Sequence, residues 1–416
     1  MDILKEYIVA NEFDMAYVAT ETGDVQVATR VNNVGEKRRK LIIHFDIRNT
    51  VLVSDSVTNV TMEQALNSFL TGVVWGKERS KGMWVWESYE TSLTPPSPDA
   101  ITYYKHMERI LVKTPTDRWN LRLVTGDFTQ NIGKAFMPYF TSTLDALRWK
   151  HEVTAEHEGM TMAGNDGKPY HYLLKSVYKL IYHLVENNRD FAIVFRTYGL
   201  DAPNVISSIA KGLQGDHPDF PIKDLGLKVT FQHGLITRKN DDSCVFQTVE
   251  NQDDQDTLEG SEITDERAIY NMLNAKEGIS GYKDDFIFWQ SNNYSHEAAK
   301  PLYVDPFDDE VHHIFFDDNI RTLEDDSIVN VRLFETEGCA TAKSLSKTEA
   351  ANFENVCLVQ ADLLMAIQDD DYYVKSVDQC EKNYTNFVNK YRLKRMDDLC
   401  SVGTDLKDEL CLQGKG

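Results

Sequence analysis

Four polar positions in this chain each border a short apolar run. Asp46 follows Leu41-Ile-Ile-His-Phe45, and Arg48, Asn49 and Thr50 come directly after it. Arg196 and Thr197 end the run that begins Phe191-Ala-Ile-Val-Phe195. Lys300 stands before Pro301-Leu-Tyr-Val304, and Asp317–Asp318 end the run His312-His-Ile-Phe-Phe316. A carboxylate can act as a nucleophile toward a phosphoryl group, and carboxylate oxygens suit Mg²⁺. A hydroxyl can bind a phosphoryl oxygen, and a lysine can neutralise charge that develops there. Each position also has a plainer reading. A strand-end Asp caps a turn, a lone Thr or Lys at a strand end is commonplace, and Asp317–Asp318 could cap a turn with Asn319. Lys283 is a second candidate for the lysine role.

Short apolar runs bounded by polar residues suit strands buried on both faces of a parallel sheet. In open α/β sheets, ligands bind off the carboxyl ends of such strands, where these polar residues fall. Helical periodicity separates the runs. Thr61 begins one helix, with Gln64 in the capping-box position. Helical spacing recurs over 98–111, 135–147, 172–185, 205–213 and 269–273. Further strands are expected at 227–233, 244–249, 285–289 and 327–332, and a hairpin joins Tyr17–Thr20 to Val25–Thr29. The acidic stretch Asn251–Glu266 reads as a loop. The tail beyond Thr348 reads as helical and acidic, with Asp369-Asp-Asp-Tyr-Tyr373 exposed.

The chain has 416 residues, 42% apolar and 26% charged, which suits a globular protein of two or three units. A net charge of -22 argues against nucleic acid or an anionic membrane as partner, since phosphate surfaces demand basic protein surface. The basic run Glu36–Lys40 reads as a solvated loop before the first strand. No apolar run is long enough to cross a membrane, and Met1-Asp-Ile-Leu lacks the basic-then-apolar pattern of a signal peptide. The expectation is a cytoplasmic protein. The six cysteines include no Cys-x-x-Cys spacing, so reduced thiols are expected rather than a zinc or redox motif.

The four positions, taken in order, resemble the motifs of the haloacid-dehalogenase-like (HAD-like) hydrolase superfamily. The family's first motif is an apolar strand followed by Asp-x-Asp-x-Thr, and here it reads Asp46-Ile-Arg-Asn-Thr50. The second is a strand ending in Ser or Thr, matched by Thr197. The third is a lysine, matched by Lys300, and the fourth is the acidic pair Asp317–Asp318. The resemblance covers residues 40–60 and 170–335. It implies an α/β fold, a Rossmann-like parallel sheet flanked by helices, with a mainly helical cap insertion. Residues 1–61 and 169–345 would form the core, 62–168 the cap, and 346–416 a helical acidic extension. It also implies roles. Asp46 would be the nucleophile, and Lys300 would neutralise charge. Mg²⁺ would be held by Asp46, the backbone carbonyl of Arg48, and Asp317 or Asp318. Thr197 would bind a phosphoryl oxygen, and Asn49, Thr50 and Arg196 would line the substrate, a small phosphorylated molecule. Trp75, Trp84, Trp86, Tyr103 and Tyr104 would line the cap pocket or pack its helices.

The departure from the family is Arg48. Its phosphatases carry an Asp there, which protonates the leaving oxygen and then activates water. A guanidinium stays charged near neutral pH and can do neither. Such acid–base help is typically worth about 10²–10⁴-fold. Arg48 could instead clamp a phosphate or carboxylate bidentately, and His44 or a cap residue could supply the acid. Two functions follow: a phosphatase-like hydrolase, or a catalytically impaired relative that binds a ligand or protein partner through the same pocket. A third, an unrelated α/β binding protein, requires the four positions to lie far apart.

Overall fold

The computed structural model describes residues 16–19, 25–28, 38–54, 60–79, 83–114, 117–221, 225–239, 243–248, 261–321 and 327–413. The chain divides into two compact units, Met1–Arg38 and Arg39–Gly416. In the first, Ala16–Ala19 pairs antiparallel with Val25–Ala28, which is the expected hairpin. Its turn lies outside the described residues, as do Glu36 and Lys37 and residues 251–260 of the acidic stretch.

The second unit is built on one eight-stranded sheet. Its strands are β1 (Lys40–Phe45), β2 (Phe191–Thr197), β3 (Gly234–Arg238), β4 (Cys244–Gln247), β5 (Glu262–Ile263), β6 (Gly278–Lys283), β7 (Val311–Asp317) and β8 (Leu358–Gln360). Their order is β5-β4-β3-β6-β2-β1-β7-β8. From β3 to β8 every neighbouring pair is parallel, and β4 and β5 add an antiparallel edge. Leu41, Ile43 and Phe45 share one face with Ile193, Phe195 and Phe316, covered by the helices Lys175–Glu186 and Ala202–Lys211. Ile42, Ala192 and Val194 share the other, packed with Ile269 and Leu273 of the helix Glu266–Asn274 and with Tyr303 and Phe334. Both faces are covered, so β1 reads as a continuous apolar run. Each side chain of this size buried from water contributes roughly 1.5–3 kcal/mol.

The strand order places the site. β2 and β6 lie on one side of β1, and β7 and β8 lie on the other. The order therefore reverses between β1 and β7, and the crevice at their carboxyl ends is where such sheets bind ligands. A separate three-stranded sheet supplies the lysine. Lys300–Val304 runs parallel to Val329–Leu333, which pairs antiparallel with Lys343–Ser344. Its Leu302 and Val304 pack in one cluster with Phe315 of β7.

The segment 62–168 contains helices at Met62–Thr71, Tyr103–Leu111, Arg118–Gly126 and Met137–Ala146. Thr61 caps the first in the expected capping box. The segment is less helical than its sequence suggests. Met83–Trp86, Trp75–Arg79 and Ile101–Thr102 form an antiparallel sheet, and Thr161–Ala163 pairs with Pro169–His171. Trp86, Tyr103, Phe128 and Phe136 pack ring on ring, which is the packing role. Leu66, Leu70 and Phe128 join the same buried cluster as β1, so the segment shares a core with the sheet.

Four local expectations are corrected. Residues 227–233 contain only an isolated bridge, Val229 to Ile279, and the strand begins at Gly234. Asp285-Phe-Ile-Phe-Trp289 is not a strand. Asp285 accepts from Phe288 N–H at 2.9 Å and caps the helix Phe286–Ser291, a capping preference that overrides β-favouring aromatics. The tail beyond Thr348 contributes β8 to the main sheet before its helices begin. Tyr373 is buried, not exposed, and its hydroxyl donates to the Thr50 carbonyl at 2.5 Å. Among the described residues no helix is long and apolar enough to cross a membrane.

Candidate active site

The register of β1 and β7 sets Phe45 opposite Phe316, so the next residue of each strand meets at the crevice. There the Asp46 N–H donates to the Phe316 carbonyl at 2.9 Å. Asp317 is fully buried. Lys300 enters from the small sheet, also fully buried, and its Nζ donates to Asp46 Oδ1 at 2.6 Å and Asp317 Oδ2 at 2.9 Å. A longer contact, 3.4 Å, runs to the Arg196 carbonyl. Asp46, Asp317 and Asp318 each hold a carboxylate oxygen within 4.8 Å of the others. The Asn319 side chain holds Asp318 Oδ1 at 3.0 Å, and the Asn319 N–H holds Asp317 Oδ1 at 2.9 Å.

The loop after β1 is shaped to present Asp46. Three amides, from Thr50, Val51 and Leu52, converge on the Ile47 carbonyl, and the Asn49 N–H closes onto the Leu52 carbonyl at 2.7 Å. Asn49 takes a left-handed conformation, φ 58°, which Asn tolerates better than most residues. Its side chain donates to Asp318 Oδ2 at 3.3 Å, tying this loop to the acidic pair.

Burial and crowding set the charges. Burial pushes the Asp46 carboxyl up to about 7, the Asp317 charge adds to this, and Lys300 opposes it. Asp318 is driven well above the carboxylate range by burial and then by Asp317 and Asp46. Burial alone would weaken the Lys300 charge, but Asp317 and Asp46 prevail and raise its pKa. Lys300 bonds two of the three clustered carboxylates, Asp46 and Asp317, and not Asp318. A hard divalent cation such as Mg²⁺, which takes carboxylate oxygens, fits this donor set and would relieve its repulsion.

The other expected residues divide. Lys300, and not Lys283, reaches the carboxylates; Lys283 sits at the end of β6 beside Thr197. The buried Thr197 hydroxyl accepts from the Gly199 N–H at 2.9 Å, which leaves its proton to donate elsewhere. Thr50 is fully buried, and its hydroxyl has no partner among the described residues. Arg196 is not placed for substrate. It is fully buried, its Nε and Nη2 clamp Asp284 at 2.9 and 2.6 Å, and Nη1 donates to the Pro301 carbonyl at 3.2 Å. That clamp anchors the residue beside Lys300. His44 is not the missing acid. It lies in the sheet interior against His313, with 3.1 Å between Nε2 and Nδ1, and burial holds its pKa far below the usual value.

Arg48 is half-buried. Burial lowers its pKa, the Asp201 charge opposes that, and Arg122 of the helix Arg118–Gly126 acts in the same sense as burial. Asp201, which motif matching misses, acts on Arg48 through its charge. It is buried, Oδ1 has no partner among the described residues, and burial raises its pKa against the pull of Arg48. Its one sequence signal is the Asp-Ala-Pro pattern that opens a helix. Tyr198 is missed too, its ring 5.0 Å from Lys300 Nζ. No family model, curated protein or solved structure matches this chain.

Proposed function

We propose that this chain is a Mg²⁺-dependent, HAD-like phosphohydrolase that acts on a small phosphorylated molecule through Asp46. The observation that carries this reading is the meeting of Asp46, Lys300, Asp317 and Asp318 where the strand order reverses. Asp46 Oδ attacks phosphorus as the bond to the leaving oxygen breaks, giving an aspartyl phosphate. Water then releases phosphate and restores the carboxylate. Lys300 steadies the nucleophile and the charge on the transferring group, and Thr197 donates to a phosphoryl oxygen. Bound Mg²⁺ would supply the positive charge that lets two anions approach, held by Asp46, the Arg48 carbonyl and the acidic pair. Residues 62–168 act in this reading as the cap that selects substrate.

The test is hydrolysis of p-nitrophenyl phosphate with Mg²⁺ by the wild type and by Asp46→Asn. Activity lost in the variant supports the reading; equal activity in both sinks it. Arg48 favours a second reading, a binding module without turnover, because its guanidinium cannot move a proton. Saturable phosphate binding with no hydrolysis, and turnover gained in Arg48→Asp, would select that one.

A further inference from the structure

A cleft separates the helix Tyr103–Leu111 from the loop 293–297 and encloses about 760 Å³. That volume lies in the range of small-molecule sites. Asp46, Thr197, Lys300, Asp317 and Asp318 are absent from its lining, so it is separate from the carboxylate centre. Lys105 and Arg109 line one wall. They are four residues apart on one helix and therefore share a face. Lys347 lines it from the core. Two carboxylates also face the cleft, Glu108 and Glu297. Glu108 is already engaged by Arg118 at 3.0 Å and Lys105 at 3.7 Å. Arg109 reaches Glu78 at 3.5 Å, but its side chain is 60% exposed. Three cations and two carboxylates therefore line the cleft, an excess of one positive charge in a chain that carries -22 overall.

The core wall is held in an uncommon shape. Asn293 and Tyr294 are consecutive residues with φ of 55° and 59°. Side chains other than glycine rarely adopt this, and such backbone persists only where surrounding contacts enforce it. Here the Tyr294 N–H donates to the Trp289 carbonyl at 2.9 Å, and Gln290 Nε2 donates to the Tyr294 hydroxyl at 3.1 Å. The result is a fixed aromatic edge on the cleft, facing a basic helix.

We propose that this cleft is a second ligand site, one that takes a small molecule bearing two or more phosphate or carboxylate groups. The ligand bridges Lys105 and Arg109 on one wall and Lys347 on the other. The inference does not depend on phosphoryl chemistry at Asp46.

Calorimetric titration of the full chain, passed over a chelating resin and kept in metal-free, chelator-free buffer, tests it, with inorganic pyrophosphate and citrate as separate probes. Without divalent cations, phosphate chemistry at the carboxylate centre plays no part. The expected result is saturable binding of at least one probe, with the probe that binds identifying the preferred anion. Lys105→Gln/Arg109→Gln should weaken it at least tenfold, since two charged contacts are lost at once, while Lys105→Arg/Arg109→Lys retains it. No saturable binding of either probe overturns the proposal. So does binding that survives Lys105→Gln/Arg109→Gln. Thermal melting of each variant confirms that the fold is intact.

Discussion

Lys300→Met is the most direct probe of the charge arrangement. The substitution keeps the length of the buried stem and deletes an ammonium that donates to Asp46 at 2.6 Å and Asp317 at 2.9 Å. Lys300 and Asp317 have no exposed surface, and Asp46 retains only 13%. Removing one partner of such a buried pair costs about 3–5 kcal/mol, because the remaining charge stays buried without compensation. The loss should depend on pH. The Asp46 carboxyl stands at about 7 in the folded chain against 3.8 unfolded. The folded state therefore binds the extra proton, and the stability this confers is present below pH 4 and disappears as pH rises through 7. Without Lys300, which pulls that value down, the window shifts upward. Urea unfolding in EDTA at pH 5.5 and pH 8 should show the variant losing more at pH 8. Mg²⁺ at a hundred times the variant's dissociation constant should then raise the variant's own stability by about 2.7 kcal/mol. A deficit under about 1 kcal/mol at pH 8, the size of a surface pair, would refute the reasoning. So would a variant that Mg²⁺ does not stabilise.

Arg196→Met should destabilise the fold by about 3–5 kcal/mol in urea, since it strands the buried Asp284 carboxylate. Arg48→Asp should speed hydrolysis of an alkyl phosphate by about 10²-fold or more, and p-nitrophenyl phosphate much less, because only the poor leaving group needs a proton. Equal acceleration of both would count against the missing-acid account. His312 and His313 are held to about 3 by burial. Their folded values lie below the unfolded one, so the unfolded state takes up protons first and stability falls as pH drops from 6.5 toward 3. The unfolding free energy from urea titrations should fall between pH 7 and pH 4.5, by on the order of 2 kcal/mol for each histidine, and His312→Phe should flatten that slope.

The central strands were legible because burial on both faces leaves an unbroken apolar run, as in β1, β2 and β7. β6 was not. Its sequence, Gly278-Ile-Ser-Gly-Tyr-Lys283, carries two glycines that packing demands. Gly278 has φ 63°, and a Cβ there would collide with the Lys228 carbonyl. A Cβ on Gly281 would lie 3.3 Å from Ile206 Cδ1, so the helix Ala202–Lys211 comes close to the strand there. Glycines in a short run read as a break in one dimension and as close packing in three. β8 was missed for a related reason. Leu358–Gln360 is a strand only because β7 offers it an edge, and three residues carry no period of their own.

The candidate site shows the same division. Its carboxylates lay at strand ends, where a sequence can place them, and Lys300 was marked by its order relative to them. What no spacing could show is that Lys300 arrives from a different sheet, braced through the neighbouring Pro301 by Arg196. Arg196 itself was misassigned because a charged residue at a strand end looks available until Asp284, 88 positions away, is seen to occupy it. Asp201 went unseen for the opposite reason. It acts through its charge on Arg48. Arg48 also feels the carboxylates Asp46 and Asp318, which favour its charge, and the cation Arg122, which opposes it. In the proposed reading, this cation favours binding of an anion but contributes nothing to proton transfer. That reading then calls for a phosphoryl compound whose leaving group departs without protonation, and it makes the leaving group, rather than the phosphate, the variable that should govern rate.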